Sequence, residues 1–142
     1  MRGFEILEGY EGCGIKLPTR KTAFSAGYDL EAAEDVLVSR EKISLVPTGL
    51  RVFMLPDEVL LIYIRSSLAV KHQLTLANSV GVIDADYQDH IILPMISLGE
   101  SFEIKKGMRI AQGIFQKYLT VDGDEVGVGE KRFGRFGSTG EF

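Results

Sequence analysis

Cysteine, histidine and excess positive charge are all scarce in this sequence. Its one cysteine, Cys13, excludes an intrachain disulfide and fits a reducing compartment. With only two histidines, His72 and His90, the chain has too few soft ligands for a zinc site built from cysteine and histidine. A formal net charge of −4 gives no broad basic surface, so stable nucleic-acid binding is not expected. No apolar run approaches the roughly 20 residues needed to cross a bilayer. The opening "MRGFEILEGY" lacks the apolar core of a secretion signal. No membrane association is expected, and the expected location is cytoplasmic. A Gly-rich loop ending in Lys-Ser/Thr is missing too, which excludes a Walker-type nucleotide site. There is no internal repeat and no low-complexity segment.

What the chain does have is glycine, 16 in 142 residues, against an average near 7%. So many glycines at short spacings predict many turns and short strands. The apolar runs agree: "DVLVS" (35–39), "ISLVPTGLRVFML" (43–55), "VLLIYI" (59–64), "LTLANSVGVI" (74–83), "HIILPMISL" (90–98), "SFEIKK" (101–106) and "MRIAQGIFQKYL" (108–119). They are rich in β-branched and aromatic residues and broken by Gly, Pro, Asn or Asp. The expectation is one all-β domain, a distorted barrel or jelly-roll of short strands, over residues 1–121. Only "SSLAVKHQ" (66–73) reads as a helix, with Ser66 or Ser67 as its N-cap. Past about residue 122 the chain turns Gly-rich and poor in aliphatics. Residues 122–142 therefore read as a mobile C-terminal tail.

Several polar residues stand where the pattern asks for apolar ones. Taken as a straight strand, "MRIAQGIFQ" puts Met108, Ile110, Gln112 and Ile114 on one face, with Gln112 a polar intruder. It is either a core amide satisfied by backbone groups or an amide facing a ligand. Arg65, Ser66 and Ser67 follow an apolar run. They make either a capped helix with a surface arginine or an anion site of guanidinium, hydroxyls and helix N–H groups. Asp29 in "SAGYDL" is by itself a turn carboxylate. The tail's "RFGRFGSTG" (132–140) joins arginines, glycines, hydroxyls and two phenylalanines, a composition suited to phosphate. In "GVIDADYQDHI" (81–91), an ideal strand sends Asp84 and Tyr87 to opposite faces. If both serve one pocket, the chain must turn between them, so the stretch reads as a hairpin tip.

In this order, "AGYDL" (26–30), "RSSLAVK" (65–71), "GVIDADY" (81–87), "RIAQGIF" (109–115) and "FGSTG" (136–140) resemble the five motifs of the trimeric dUTPases. The resemblance runs from about residue 14 to the end. It implies hydrolysis of dUTP to dUMP and pyrophosphate by water attack on the α-phosphate. That reaction keeps uracil out of DNA and supplies dUMP for thymidylate synthesis. Asp84 matches the family's general base and Tyr87 the ring that lies on the deoxyribose. Asn78 and the Val82–Ile83 backbone match the hairpin that reads uracil. Arg65, Ser66, Ser67 and Gln112 match phosphate contacts. Asp29 matches the carboxylate that reaches Mg²⁺ through water. In the tail, Phe136 would stack on the base, while Arg132, Gly137, Ser138 and Thr139 would close on the phosphates. A homotrimer with shared active sites is implied.

The sequence departs from the family pattern at Ile64, a usual proline, and at Ser67, Asp89 and Arg135, usual glycines. Two other readings remain at this point. dCTP deaminases of the same fold group carry "RSSL", as residues 65–68 do here, but "IILPMIS" offers no acidic residue for that chemistry. A regulatory binding protein on the same fold is the other.

Overall fold

The computed structural model describes residues 1–124. The expectations for Arg132, Arg135, Phe136, Gly137, Ser138 and Thr139 fall outside the described residues. The chain runs through β1 (Gly3–Ile6), β2 (Tyr28–Glu31), β3 (Val36–Val38), β4 (Ser44–Pro47), β5 (Leu50–Phe53) and β6 (Glu58–Ile64). Then come α1 (Ser66–His72), β7 (Leu74–Leu76), β8 (Gly81–Asp84), β9 (Ile92–Ser97), β10 (Phe102–Ile104) and β11 (Arg109–Lys117). The expected apolar runs become β3 to β11, with the long run at 43–55 split by the Thr48-Gly49 turn, where Gly49 has φ +73°. The all-β expectation with one short helix holds. Among the described residues the strands form four antiparallel sheets, ordered β2-β11-β6-β8, β4-β9-β7, β1-β5 and β10-β3. They do not close into one continuous barrel.

One core joins these sheets. Leu30, Val38, Val46, Leu50, Leu60, Ile62, Leu74, Met95, Ile104 and Ile110 are fully or almost fully buried in a single cluster. Burying each such aliphatic contributes about 1.5–3 kcal/mol. That cluster is why such short strands hold: each pairs with few residues but shares the same apolar interior. β1 was not among the expected strands. It pairs with β5 in register Gly3 to Phe53 through Ile6 to Leu50. Arg2 beside it donates from Nε to both Glu58 carboxylate oxygens, at 3.0 and 2.8 Å, and ties β1 to the start of β6.

Three local expectations are corrected. A β-bulge in β11 sets Arg109 opposite Glu31 but Ala111 opposite Leu30, leaving Ile110 as the extra residue. Leu30, Ile110 and Ala111 are all 0% exposed, so the bulge sends two successive side chains into the core. Gln112 therefore faces away from Ile110 rather than sharing its face.

The second correction concerns α1. Its N-cap is Arg65, at φ −71° and ψ 136°, with no side-chain cap bond. Arg65 N–H still bonds Ile110 O at 3.3 Å, continuing the β6–β11 ladder, and the helix starts at once after it. Ser66 and Ser67 are thus in the first turn and are not caps.

The third concerns residues 84–91. Tyr87 N–H bonds Asp84 O at 3.0 Å, so the chain does turn between them. But β8 pairs with β6, while β9 pairs with β4 and β7. The stretch is a crossover between two sheets and not a hairpin tip. Asp89, at a usual glycine position, is not among the positive-φ residues, so it takes that place without backbone strain.

Candidate active site

The outer face of the four-stranded sheet carries Asp29, Gln112, Val82 and Asp84. Register puts Asp29, Gln112 and Tyr63 side by side across β2, β11 and β6. The same face holds Ile114, Leu61 and Val82, then Gln116, Val59 and Asp84. Side chains two apart share a face, so this one row pattern positions residues from three separated segments.

Around Gln112 a polar cluster forms. Gly27 lies so close that a Cβ there would stand 2.5 Å from Gln112 Oε1 and 2.9 Å from its Cβ. The "AG" before "YDL" therefore makes room for the amide. Asp29 faces Arg109, with 3.5 Å between Oδ2 and Nη1. Arg65 Nη1 donates to the Arg109 carbonyl at 3.2 Å. Arg65, Arg109, Asp29 and Gln112 thus meet at one end of the sheet, with Ser66 exposed and Ser67 half-buried on the adjoining helix turn. A cleft of ≈ 480 Å³ opens beside them, lined by Thr19, Arg20, Lys21, Asp29, Glu31 and Arg109 among others. Arg109 escaped sequence reading although it opens a quoted motif. Only strand pairing shows which carboxylate it meets.

Asp84 belongs to a second cluster. It is exposed at the end of β8 and lines, with Ala85, Asp86, Met54, Pro56 and Tyr118, an open cleft of ≈ 450 Å³. Tyr87 is 8% exposed, and its hydroxyl donates to the His90 carbonyl at 2.7 Å. Asn78 is exposed in the turn between β7 and β8. There Ser79, at φ +66°, bonds Leu76 O at 3.0 Å, and Val80 N–H bonds Asn78 O at 2.7 Å. β8 is one of the two edge strands of its sheet. Alternate backbone N–H and C=O groups along an edge point away from the sheet, where a planar base can be read by hydrogen bonds. Val82 is 59% exposed on the outer face, and Ile83 packs on the core.

The two clusters are apart. Gln112 is level with Tyr63, and Asp84 with Val59, four residues along β6 and two strands over. At about 3.3 Å per residue and about 4.8 Å per strand, that is roughly 13 Å along the sheet and roughly 10 Å across it. Within one chain the structure brings Asp29, Arg65 and Gln112 together, and Asp84 with the uracil-edge segment, but not the first set to the second.

No group of three or more His, Cys, Asp and Glu residues suited to a metal ion occurs among the described residues. No helix among them is long and apolar enough to cross a membrane.

Comparison with known proteins fits this geometry. The dUTPase family model matches residues 14–140. The chain is 47% identical to the deoxyuridine 5'-triphosphate nucleotidohydrolase of Lactococcus lactis over 147 residues, covering 99% of this chain and 98% of that protein. The crystal structure of the Streptococcus mutans dUTPase superposes with a TM-score of 0.79 at 41% identity, over 85% of this chain and 99% of that one. A dUTPase from phage phi11 of S. aureus, described with a structural Mg(II) ion, shares the fold at a TM-score of 0.74 and 19% identity, over 89% and 97% of the two chains. With a family model matching residues 14–140 and a relative 47% identical over nearly its whole length, the chain belongs to the dUTPase family.

Proposed function

We propose that this chain hydrolyses dUTP to dUMP and pyrophosphate. The observation that carries the reading is the outer sheet face. It holds a phosphate-suited cluster at one end and a carboxylate beside a base-reading strand edge at the other, in a chain 47% identical to a dUTP nucleotidohydrolase.

Asp84 takes a proton from the water that attacks the α-phosphorus. Gln112, Arg65, Ser66 and Ser67 hold the phosphate chain, and in the tail Arg132, Gly137, Ser138 and Thr139 add donors to it. Asn78 and the β8 edge read uracil, Tyr87 lies against the deoxyribose, and Phe136 covers the base. Mismatched hydrogen bonding on the base edge costs about 1–3 kcal/mol, enough to reject cytosine by roughly 5- to 150-fold.

Mg²⁺ fits as a passenger of the triphosphate. Asp29, already beside Arg109, is the carboxylate level with Gln112, and the described residues offer no group of three or more His, Cys, Asp and Glu that would make an all-protein cage. That suits an ion that keeps its waters and is reached through one of them. When bound, Mg²⁺ neutralises charge on the leaving pyrophosphate.

The separation of the two clusters supports a site shared between copies, one supplying Asp84 and the uracil edge and another Asp29, Arg65 and Gln112, as in the homotrimer that the family resemblance implies. Residues 1–121 form the β domain in this reading, and residues 122–142 are the segment that closes the site. A cytoplasmic location accords with the lone, exposed Cys13.

Pyrophosphate release measured with dUTP, dCTP, dTTP and UTP, alongside a sizing run, tests the proposal. Strong preference for dUTP by a species of three chains is expected. Ammonia release from dCTP without pyrophosphate from dUTP would establish the deaminase reading instead.

A further inference from the structure

His90 stands where three chain segments meet, and nothing in the catalytic reading uses its side chain. It is 8% exposed. Its Nε2 accepts the Gly49 N–H at 2.8 Å. A backbone N–H can only donate, so Nε2 carries no proton, and the neutral ring keeps its hydrogen on Nδ1. Gly49 can present that N–H because it sits at φ +73°, and a Cβ there would lie 3.0 Å from Tyr10 Cδ1. The Tyr10 ring in turn meets the His90 ring edge-on, with centroids 5.1 Å apart and planes at 60°. His90 is therefore held by a turn glycine on one side and an aromatic edge on another.

Its backbone carries that order onward. The His90 carbonyl accepts the Tyr87 hydroxyl at 2.7 Å, and the His90 N–H bonds Asp89 Oδ1 at 2.6 Å. Tyr87 N–H closes on Asp84 O at 3.0 Å. Three hydrogen bonds, joined through the covalent frames of His90 and Tyr87, thus link the Gly49 turn to the Asp84 backbone.

The loops themselves are joined without His90. Thr48 Oγ1 donates to Ile91 O at 2.7 Å, and Ile91 N–H to Leu50 O at 2.8 Å. The Ile91 N–H bond also anchors one side of the planar peptide that carries the His90 carbonyl, and the imidazole adds a second tether, from the side chain to the Gly49 turn, that steadies the carbonyl receiving the tyrosine hydroxyl.

We infer that His90 is a positioning residue for sugar discrimination: its imidazole, as acceptor for Gly49 N–H, fixes the carbonyl that holds Tyr87 against the 2′ side of a deoxyribose. This rests on the reading that Tyr87 lies on the sugar of dUTP. His90→Leu removes the acceptor while keeping an apolar side chain, and His90→Gln restores an acceptor at similar reach. Tyr87→Phe keeps the ring and removes the hydroxyl that bonds the His90 carbonyl.

The experiment is steady-state hydrolysis of dUTP and UTP by the full-length oligomer, with thermal melts and sizing for each variant. His90→Leu and Tyr87→Phe are expected to narrow the dUTP-over-UTP ratio of kcat/KM at least fivefold. For His90→Leu, the loss on dUTP falls mostly in KM. His90→Gln is expected to recover the ratio to within threefold. An unchanged ratio in folded His90→Leu overturns the inference, as does a folded His90→Gln that fails to recover. If His90→Leu does not fold, an unchanged ratio in Tyr87→Phe overturns it. Tyr87→Ala separates the two levels. If it narrows the ratio while His90→Leu does not, only the role of His90 fails. If it leaves the ratio unchanged, the sugar reading fails and takes this inference with it. Wild-type protein that does not hydrolyse dUTP at all overturns the function on which both stand.

Discussion

Gly27 and Gln112 touch so closely that the first has no room for a side chain: a Cβ at residue 27 would sit 2.9 Å from the Gln112 Cβ. The amide end of Gln112 could swing aside, but its Cβ moves only with the β11 backbone. Gly27→Ala must therefore displace β11 or β2 where they pair Gln112 with Asp29. Overpacking of this kind costs about 1–3 kcal/mol. The expected outcome is a folded oligomer with a lower melting temperature and a kcat/KM for dUTP reduced at least tenfold, mostly through KM. Wild-type kinetics in a folded Gly27→Ala protein would show that Gln112 does not contact the phosphates.

Asp84→Asn keeps shape and removes the basic oxygen. Loss of a general base lowers the rate by about 10²–10⁴. Asp84 is exposed at a strand end, so stability and oligomeric state should not change. Turnover within a few-fold of wild type would move the assignment to Asp86, which lines the same cleft.

Acid stability should report on Glu58. This carboxylate is 4% exposed and accepts from Arg2 and from the Leu55 N–H at 2.9 Å. The Arg2 hydrogen bond first, then the Leu55 N–H, hold its pKa below the ordinary 4.5. A depressed carboxylate contributes stability above its unfolded value and loses it as pH falls through the folded one. Melting temperature should therefore fall steeply below about pH 4.5, as the Arg2–Glu58 tie is protonated away. Glu58→Gln should melt lower at pH 7 and show a flatter acid limb. An acid limb of unchanged steepness in Glu58→Gln would assign acid unfolding to other carboxylates.

By the motif resemblance, Arg132 takes the family's arginine position and Arg135 that of a usual glycine. Deleting residues 131–142 should leave an oligomer that melts like the full chain but turns over dUTP at least a hundredfold more slowly. Arg132→Ala should reproduce most of that loss, and Arg135→Ala much less. Near-normal kcat/KM in the truncated protein would remove the tail from the site. A larger defect for Arg135→Ala than for Arg132→Ala would show that the tail is aligned differently.

Much of this protein is written in its chain order. Glycine frequency and broken apolar runs predict short strands, since a turn every few residues leaves no length for anything else. The five motifs lead to the family because each carries its chemistry in a few contiguous residues. What the linear order could not show is where those residues face. Period-two alternation places Gln112 with Ile110, and one extra residue in β11 overturns that, because a bulge is decided by how Leu30, Ile110 and Ala111 fill the core together. β1 reads as nothing in particular until β5 and Glu58 meet it. The Asp29–Arg109 pair joins residues 80 positions apart through strand pairing, and the His90–Gly49 bond joins two loops that share no motif. Short-range propensity and side-chain chemistry are properties of neighbouring residues, so they survive in the sequence. Register, bulges and the separation of Asp84 from Gln112 depend on long-range packing, and only the folded chain decides them.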